Sequence, residues 1–355
     1  MAQAVDKLVA DTSKRSALSD GSRGFRFRAK QRSCLRSHPD LGSTFAETLS
    51  YSGASALFSL EVIMVTDRDL SVLRAVARYY VLNRQQIQRL VFPDDANGRI
   101  ARRRLQTLID ADLLSRQSML VCHPANGAPA PVYYPSRRGI ELLAEATGDD
   151  RFLAIPSQAP TMHHVWHWLA VSETHIAFDE AISLQSDIQI VDWFNEYDVV
   201  NAAESSPELR FRLYTLLRSS PRLACAPDAA FLLATRGHSK VFYLEQDRAT
   251  TGVHQIAASK TQGYSVLAEV NGHRRHFPDA TIDTFTVLMV TPNARRRDSL
   301  RKAIREKGGA NLWRFASQED MTAERLLHDP IWYPCDGDAA SLIKPTPLSE
   351  GGSSQ

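Results

Sequence analysis

The stretch PDAAFLLATRGHSKVFYLEQDRATTGVHQIAASK, residues 227–260, decides the fold of the larger part of this chain. It predicts two apolar strands, near 228–234 and 240–246, followed by a helix over 251–269. Further strands and helices alternate on both sides of this stretch, among them helices predicted over 207–218 and 321–328. This alternation predicts an α/β sheet with helices on its faces. The question is whether the stretch is a metal-dependent nuclease core or two buried strands with charged ends.

Three carboxylates lie at the ends of the two predicted strands. Asp228 opens the first strand, while Glu245 and Asp247 close the second. Successive strand residues alternate faces, so Glu245 and Asp247 point to the same side, and Asp228 meets them if the strands pair as a hairpin. Carboxylates gathered in this way suit Mg²⁺ or Mn²⁺, which could polarise a scissile phosphate. The pattern predicts Asp228 and Glu245 as metal ligands, with Asp247 in the same catalytic set.

The helix that follows adds a lysine to this set. Lys260 and Tyr264 share the helical stripe that packs on the sheet, together with Val253, Ile256 and Ala257. A lysine there can extend to the edge of the sheet and stabilise charge on a phosphate. Lys260 is therefore a predicted catalytic residue and Tyr264 an additional candidate. Glu173 is a second additional candidate, because it shares the inner face of a long helix predicted over 161–183.

Structural interpretations of the same residues remain open. Asp228 and Glu245 could be ordinary charges at strand ends. Asp247 could form an ion pair with Arg248 or Lys260, which would shift pKa values without any catalysis.

Histidines and one further acid complete the candidates. His163, His164 and His167 have helical spacing, yet capping or packing near the start of the long helix is the favoured interpretation. The HRRH stretch at 273–276 is interpreted as a polar surface loop. Glu196 is a further candidate acidic ligand.

Basic residues are concentrated at the front of the chain. Residues 66–116 carry ten basic residues, all of them arginine, against six acidic ones, and residues 1–60 carry nine against five. The rest of the chain is close to neutral or acidic. A basic front half on a neutral body predicts a polyanion partner at the N-terminal end.

Three short helices open the structured sequence. Thr66 and Asn83 are predicted to cap the first two, and a β-hairpin and a fourth helix follow the third. This is the order of a winged helix-turn-helix, in which the third helix enters the major groove of double-stranded DNA. Arginine can contact phosphate or guanine, so DNA-binding residues are predicted on the third helix, although a solvated surface is the alternative: Arg99, Arg102, Arg103 and Arg104.

The chain divides into two predicted domains with flexible ends, an α+β domain and an α/β domain. Met64 stands directly before the first capped helix and is a candidate start, with the preceding residues an over-extended reading frame; the sequence leaves this open. In chain order the predicted parts are a disordered basic extension (1–63), a winged helix-turn-helix domain (64–147), a linker (148–160), an α/β domain (161–336) and a disordered tail (337–355).

The cysteines and the hydropathy pattern bear on the compartment. The four cysteines are far apart and show no metal-binding or disulfide spacing, which favours a reducing cytoplasm: Cys34, Cys122, Cys225 and Cys335. No apolar run approaches the roughly 18 residues of a membrane span. We therefore expect a cytoplasmic protein without a membrane partner.

The second domain resembles the PD-(D/E)xK nuclease superfamily. Pro227-Asp228 matches the opening of its motif, and Glu245 follows Asp228 by 17 positions. Asp247 stands where the superfamily has lysine, whereas Lys260 matches lineages that carry the lysine on the following helix. The resemblance implies that residues 161–336 form a restriction-endonuclease-like domain.

A narrower resemblance covers about 66–335. The stretches VTDRDLSVL, HHVWHWLAVSETH, PDAAFLL, LEQDRATTG and KTQGY, in this order, are similar to those of the replication-relaxation proteins of plasmids and other mobile elements. The resemblance implies a DNA-binding protein of plasmid replication, DNA relaxation or mobilisation, with a replication initiator or relaxase as a further partner.

Two functions stay open at this point. The first is a metal-dependent DNA endonuclease or nickase, favoured by the presence of Asp228, Glu245 and an inward Lys260. The second is a non-catalytic DNA-binding accessory factor or transcriptional regulator with a degenerate nuclease fold, favoured by the missing lysine at position 247.

Overall fold

The computed structural model describes residues 65–119, 129–309 and 311–344. The predicted extension, residues 1–63, and the last eleven residues of the predicted tail lie outside the described residues. The described residues all belong to one compact unit that begins at Val65.

Three helices open this unit: α1 (Asp67–Tyr79), α2 (Arg84–Val91) and α3 (Arg99–Asp110). The predicted caps of the first two are confirmed. The Thr66 side chain accepts a hydrogen bond from the Asp69 amide, and the Asp69 carboxylate accepts one from the Thr66 amide. The same reciprocal arrangement joins Asn83 and Gln86 at the start of α2. Such capping boxes satisfy amides that have no partner inside the helix.

A small antiparallel sheet completes the N-terminal part, which we define as residues 65–147. Its strands lie in the order β1-β3-β2. Helix α4 follows β3, and Ser136 caps its N-terminus by accepting a hydrogen bond from the Gly139 amide. The bounds are β1 (Leu82–Asn83), β2 (Leu114–Gln117), β3 (Val132–Pro135) and α4 (Arg137–Thr147).

Helix α5 (Val165–Ser183) connects this part to the rest of the chain. It begins four residues later than the sequence predicted. Ile176 packs into the core formed by α1, α2 and α3, whereas Phe178 packs against the large sheet. The helix is therefore buried on two sides, which explains its mostly apolar sequence.

A six-stranded mixed sheet forms the centre of the second part, which we define as the described residues after α5. Its strands lie in the order β11-β10-β9-β8-β7-β4. Strands β4, β7 and β8 pair antiparallel, β8, β9 and β10 pair parallel, and β11 is antiparallel at the edge. The bounds are β4 (Ile188–Asn195), β7 (Ala229–Thr235), β8 (His238–Gln246), β9 (Phe285–Thr291), β10 (Trp313–Ser317) and β11 (Tyr333–Pro334).

Helices cover both faces of this sheet. Helices α7 (Val253–Glu269) and α9 (Ala294–Glu306) pack on one face, while α5 lies on the other. The described chain is thus a mixed α/β protein. The remaining elements are short: α6 (Pro207–Arg210), β5 (Thr215–Ser219), β6 (Arg222–Cys225) and α8 (His273–His276).

Three predicted elements differ from the structure. The stretch 207–218 was predicted to be helical, but only its first turn is, because Thr215–Ser219 pairs with β6. The stretch 321–328 forms turns rather than a helix; eight residues are too few for propensity alone to hold one, and packing of Leu326 and Leu327 decides the local path. The predicted tail begins too early, since Ile343 is buried and its amide bonds Leu327.

Burial of His175 on α5 makes stability depend on pH. The ring stacks on Trp193 with 3.7 Å between centroids, and burial lowers its pKa to about 3, with Arg78 also opposing protonation and Asp179 favouring it. The folded pKa lies below the unfolded value, so the neutral ring stabilises the fold above about pH 6.5, and this contribution is lost as the pH falls.

We therefore expect this group to remove about 2 kcal/mol of unfolding free energy between pH 7 and pH 5. Urea unfolding of wild type and His175→Asn at both pH values measures it. The stability advantage of wild type over the variant should shrink by that amount at pH 5. An advantage that does not change with pH would contradict the assignment.

Candidate functional site

Strands β7 and β8 pair as a hairpin and bring Asp228 beside Glu245. Ala229 lies opposite Leu244, and the Asp228 amide bonds the Leu244 carbonyl at 3.1 Å. The Gln246 amide in turn donates to Asp228 Oδ2 at 2.7 Å. Both carboxylates are buried, with 3% of each residue exposed.

Helix α7 delivers Lys260 and Tyr264 to the same point. Lys260 Nζ lies 2.8 Å from Glu245 Oε1 and 2.7 Å from Oε2, and it also donates to the Ala226 carbonyl at 3.1 Å. The Tyr264 hydroxyl donates to Glu245 Oε1 at 2.6 Å. The inward direction that helical spacing predicted for these two side chains is confirmed.

Two further residues join them from the opposite side. His167 Nε2, on α5, lies 3.3 Å from Asp228 Oδ2. Glu196 follows β4 directly; its amide donates to the Asp228 carbonyl at 2.9 Å, and its carboxylate accepts from Trp168 Nε1 at 2.7 Å. We refer to the following six side chains as the buried polar cluster: His167, Glu196, Asp228, Glu245, Lys260 and Tyr264.

Sequence reasoning named Glu196 only as a further candidate and interpreted His167 as a capping or packing residue. The spacing of three histidines was a signal, but it could not show which one turns inward. His163 is exposed and His164 stacks on Trp168, so His167 alone reaches Asp228.

Burial and mutual charge set the protonation of the cluster. Burial raises the pKa of Glu245 to about 7 even though Lys260 opposes this. For Asp228, burial opposes ionisation, yet His167, Lys260 and the Gln246 amide together hold its pKa below the usual range. Burial also opposes the charge of Lys260, but Glu245 and Asp228 raise its pKa. The ammonium is therefore charged at neutral pH, and the Asp228 carboxyl is ionised.

Asp247 does not join the cluster. The strand ends at Gln246, and the Asp247 carboxylate turns to Arg296 of α9, whose Nε lies 2.7 Å from Oδ2. It also accepts from the Ala249 amide at 3.1 Å. The structure therefore pairs Asp247 with Arg296, a partner that the sequence did not predict, and this ion pair holds the loop on α9.

Glu173 also lies elsewhere. Its carboxylate accepts from Gln86 Nε2 at 2.9 Å and from Arg89 at 2.9 Å, both on α2. It therefore joins α5 to the N-terminal part rather than to the cluster. The HRRH stretch is corrected as well, because it forms the short helix α8, in which His273 and His276 are buried.

The cluster does not offer a divalent cation a ready set of ligands. Among the described residues, no group of three or more His, Cys, Asp or Glu side chains is arranged to hold a metal ion. Both oxygens of Glu245 lie within 2.8 Å of Lys260 Nζ, whereas Asp228 Oδ1 is buried without a hydrogen-bond partner among the described residues. Mg²⁺ is held in octahedral geometry by one or two carboxylates together with waters, so it needs carboxylate oxygens that no other cation occupies. The predicted metal ligands thus converge, but they do not fit the metal as they stand.

A second group of candidate residues lies on α3. Arg99, Arg102 and Arg103 are exposed. Arg104, predicted with them, instead forms a bidentate ion pair with the fully buried Asp69 of α1. The prediction for Arg104 is corrected, because this guanidinium fixes α3 on α1.

Comparison with known families identifies the chain. A family model described as replication-relaxation matches residues 73–280. The chain belongs to the replication-relaxation family. The match includes all six side chains of the buried polar cluster and all of α3. Membership in this family suggests a role in the replication or relaxation of plasmids or other mobile elements.

Comparison with curated proteins and with solved structures gives no match. Within the described ranges, none of the helices has the length and apolar character needed to cross a membrane.

Replacement of Lys260 by methionine should lower the unfolding free energy by about 3 kcal/mol, because it leaves Glu245 buried without a cation. Chemical denaturation measures this, with the exposed Lys302→Met on α9 as the control, expected to change stability by less than about 0.5 kcal/mol. Adding Glu245→Gln to Lys260→Met should restore part of the loss. Equal effects at positions 260 and 302 would show that the pair is not buried as described.

Proposed function

We propose that this protein is a DNA-binding factor in the replication or relaxation of plasmids or other mobile elements, and that residues 65–147 bind double-stranded DNA as a winged helix-turn-helix. The order of elements supports this proposal: three helices, then the strands β2 and β3, then a fourth helix. In that architecture α3 is the recognition helix and the β2–β3 connection is the wing.

Exposed arginines on α3 carry the proposal. Arg99, Arg102 and Arg103 stand on the outer side of the helix, while Leu105 and Leu108 on its inner side are buried. Guanidinium groups presented in this way suit phosphate oxygens and the acceptor edge of guanine. The ion pair of Arg104 with Asp69 supports the same role, since it holds the helix in one orientation.

For the second part we propose a restriction-endonuclease-like domain that has lost or does not use cleavage. The engaged oxygens of Glu245 and the diversion of Asp247 to Arg296 support a non-catalytic role. A replication initiator or relaxase is the class of protein partner that such an accessory role implies.

Cleavage or nicking of DNA with Mg²⁺ or Mn²⁺ is the second candidate. One observation favours it. Asp228, Glu245 and Lys260 converge at strand ends, and Asp228 Oδ1 is buried there without a hydrogen-bond partner among the described residues. Tyr264 beside them would orient Glu245 in either function.

The duplex-binding proposal predicts a loss of affinity in Arg102→Gln/Arg103→Gln. If both side chains contact phosphate, the negative slope of log K against log salt concentration should become shallower by about 2. Fluorescence anisotropy with a labelled duplex, in EDTA and at several salt concentrations, measures affinity and slope together.

The matched control is Lys302→Gln/Lys307→Gln on and just after α9, which removes the same charge from exposed positions of the second part. It should bind like wild type. Wild-type affinity and slope in the α3 variant, with a loss in the α9 control, would place the duplex elsewhere on the protein.

A further inference from the structure

The Lys260 ammonium lies among three oxygen atoms. The side chain is largely covered, with 17% exposed against 4% for Glu245. An ammonium has three N–H donors, and Lys260 Nζ has three acceptors within 3.1 Å: both Glu245 oxygens and the Ala226 carbonyl. Glu245 Oε1 and the Ala226 carbonyl accept hydrogen bonds from it, and Glu245 Oε2 is in ion-pair contact, so the lysine is held by its partners rather than passing near them.

The carboxylate oxygens of Asp228 and Glu245 are almost all engaged in the same way. Glu245 Oε1 accepts from Lys260 and Tyr264, and Oε2 contacts Lys260. Asp228 Oδ2 accepts from the Gln246 amide and faces His167. Asp228 Oδ1 is buried without a hydrogen-bond partner in the described part of the chain, and Glu245 Oε2 has its ion-pair contact with Lys260. A divalent cation would meet one open oxygen here.

Two buried carboxylates side by side need positive charge, and the chain supplies it. Lys260 lies against Glu245 and His167 lies against Asp228. Removal of one partner from such a buried arrangement leaves an uncompensated charge. A divalent cation from solution must therefore displace an ammonium that is tethered to α7 and already dehydrated. This competition lowers the apparent affinity of the divalent cation for the two carboxylates.

We propose that Lys260 is the resident cation of this site. Its ammonium excludes Mg²⁺ and Mn²⁺ from Asp228 and Glu245, and an uncharged side chain of similar length at position 260 turns the carboxylate pair into a divalent-cation site. This inference does not rest on duplex binding, which is measured separately in EDTA.

Titration with Mn²⁺, with the free ion followed by electron paramagnetic resonance, tests the proposal on the full chain. Lys260→Met should bind one Mn²⁺ at least about tenfold more tightly than wild type. Lys260→Met/Asp228→Asn should lose this gain, because Asp228 supplies the open oxygen. Wild type that binds one Mn²⁺ as tightly as Lys260→Met, with the binding removed by Asp228→Asn, would overturn the proposal.

Two further variants keep the result interpretable. Lys260→Gln replaces the methionine variant if the latter does not fold, and the same gain is expected of it. Tyr264→Phe removes one hydrogen bond to Glu245 but leaves the ammonium, so it should bind Mn²⁺ no more tightly than wild type. A gain in Tyr264→Phe equal to that at position 260, or a folded lysine variant without any gain, would contradict the role of the ammonium.

Discussion

Burial of helix α5 on two sides is the constraint on which the rest of the described chain depends. Its Ile176 completes the core of the N-terminal helices, and its Phe178 lies in the core beneath the large sheet. Polar contacts reinforce this position, since Arg78 and Tyr79 of α1 both bond Asp179 and Ser172 bonds the Tyr79 carbonyl. The N-terminal part and the sheet therefore belong to one compact unit.

The same helix reaches the buried polar cluster at two points. His167, near the start of α5, faces Asp228. Further along the helix, the Thr174 hydroxyl donates to the side-chain oxygen of Gln246 at 2.7 Å, and the backbone amide of Gln246 donates to Asp228. Gln86 of α2 bonds α5 from the other side, at Leu169 and Glu173. A continuous set of hydrogen bonds thus joins the helices proposed to bind DNA to the carboxylates of the second part.

Sequence patterns predicted the features that depend on neighbours in the chain. The caps at Thr66 and Asn83, the two strands β7 and β8 and the inward face of α7 with Lys260 and Tyr264 all follow from spacings within one element or between consecutive ones. These spacings report the period of a helix or strand, which is a local property.

Partner choice over long separations could not be predicted in this way. Asp247 binds Arg296, 49 residues away, and Arg104 binds Asp69, 35 residues away. Both were assigned functional roles because each lay on a suitable face, but a face offers several partners and tertiary packing selects one. His167 was missed for the same reason, since its nearness to Asp228 depends on how α5 crosses the sheet.

Incubation of the protein with supercoiled plasmid tests the central claim. The claim is that the protein binds DNA, while the Lys260 ammonium takes the place of a divalent cation at Asp228 and Glu245. We predict salt-sensitive retardation of the plasmid, with the DNA supercoiled in Mg²⁺ or Mn²⁺ as it is in EDTA. Metal-dependent conversion to nicked or linear plasmid, abolished in Asp228→Ala/Glu245→Ala, would contradict the account and establish a nuclease.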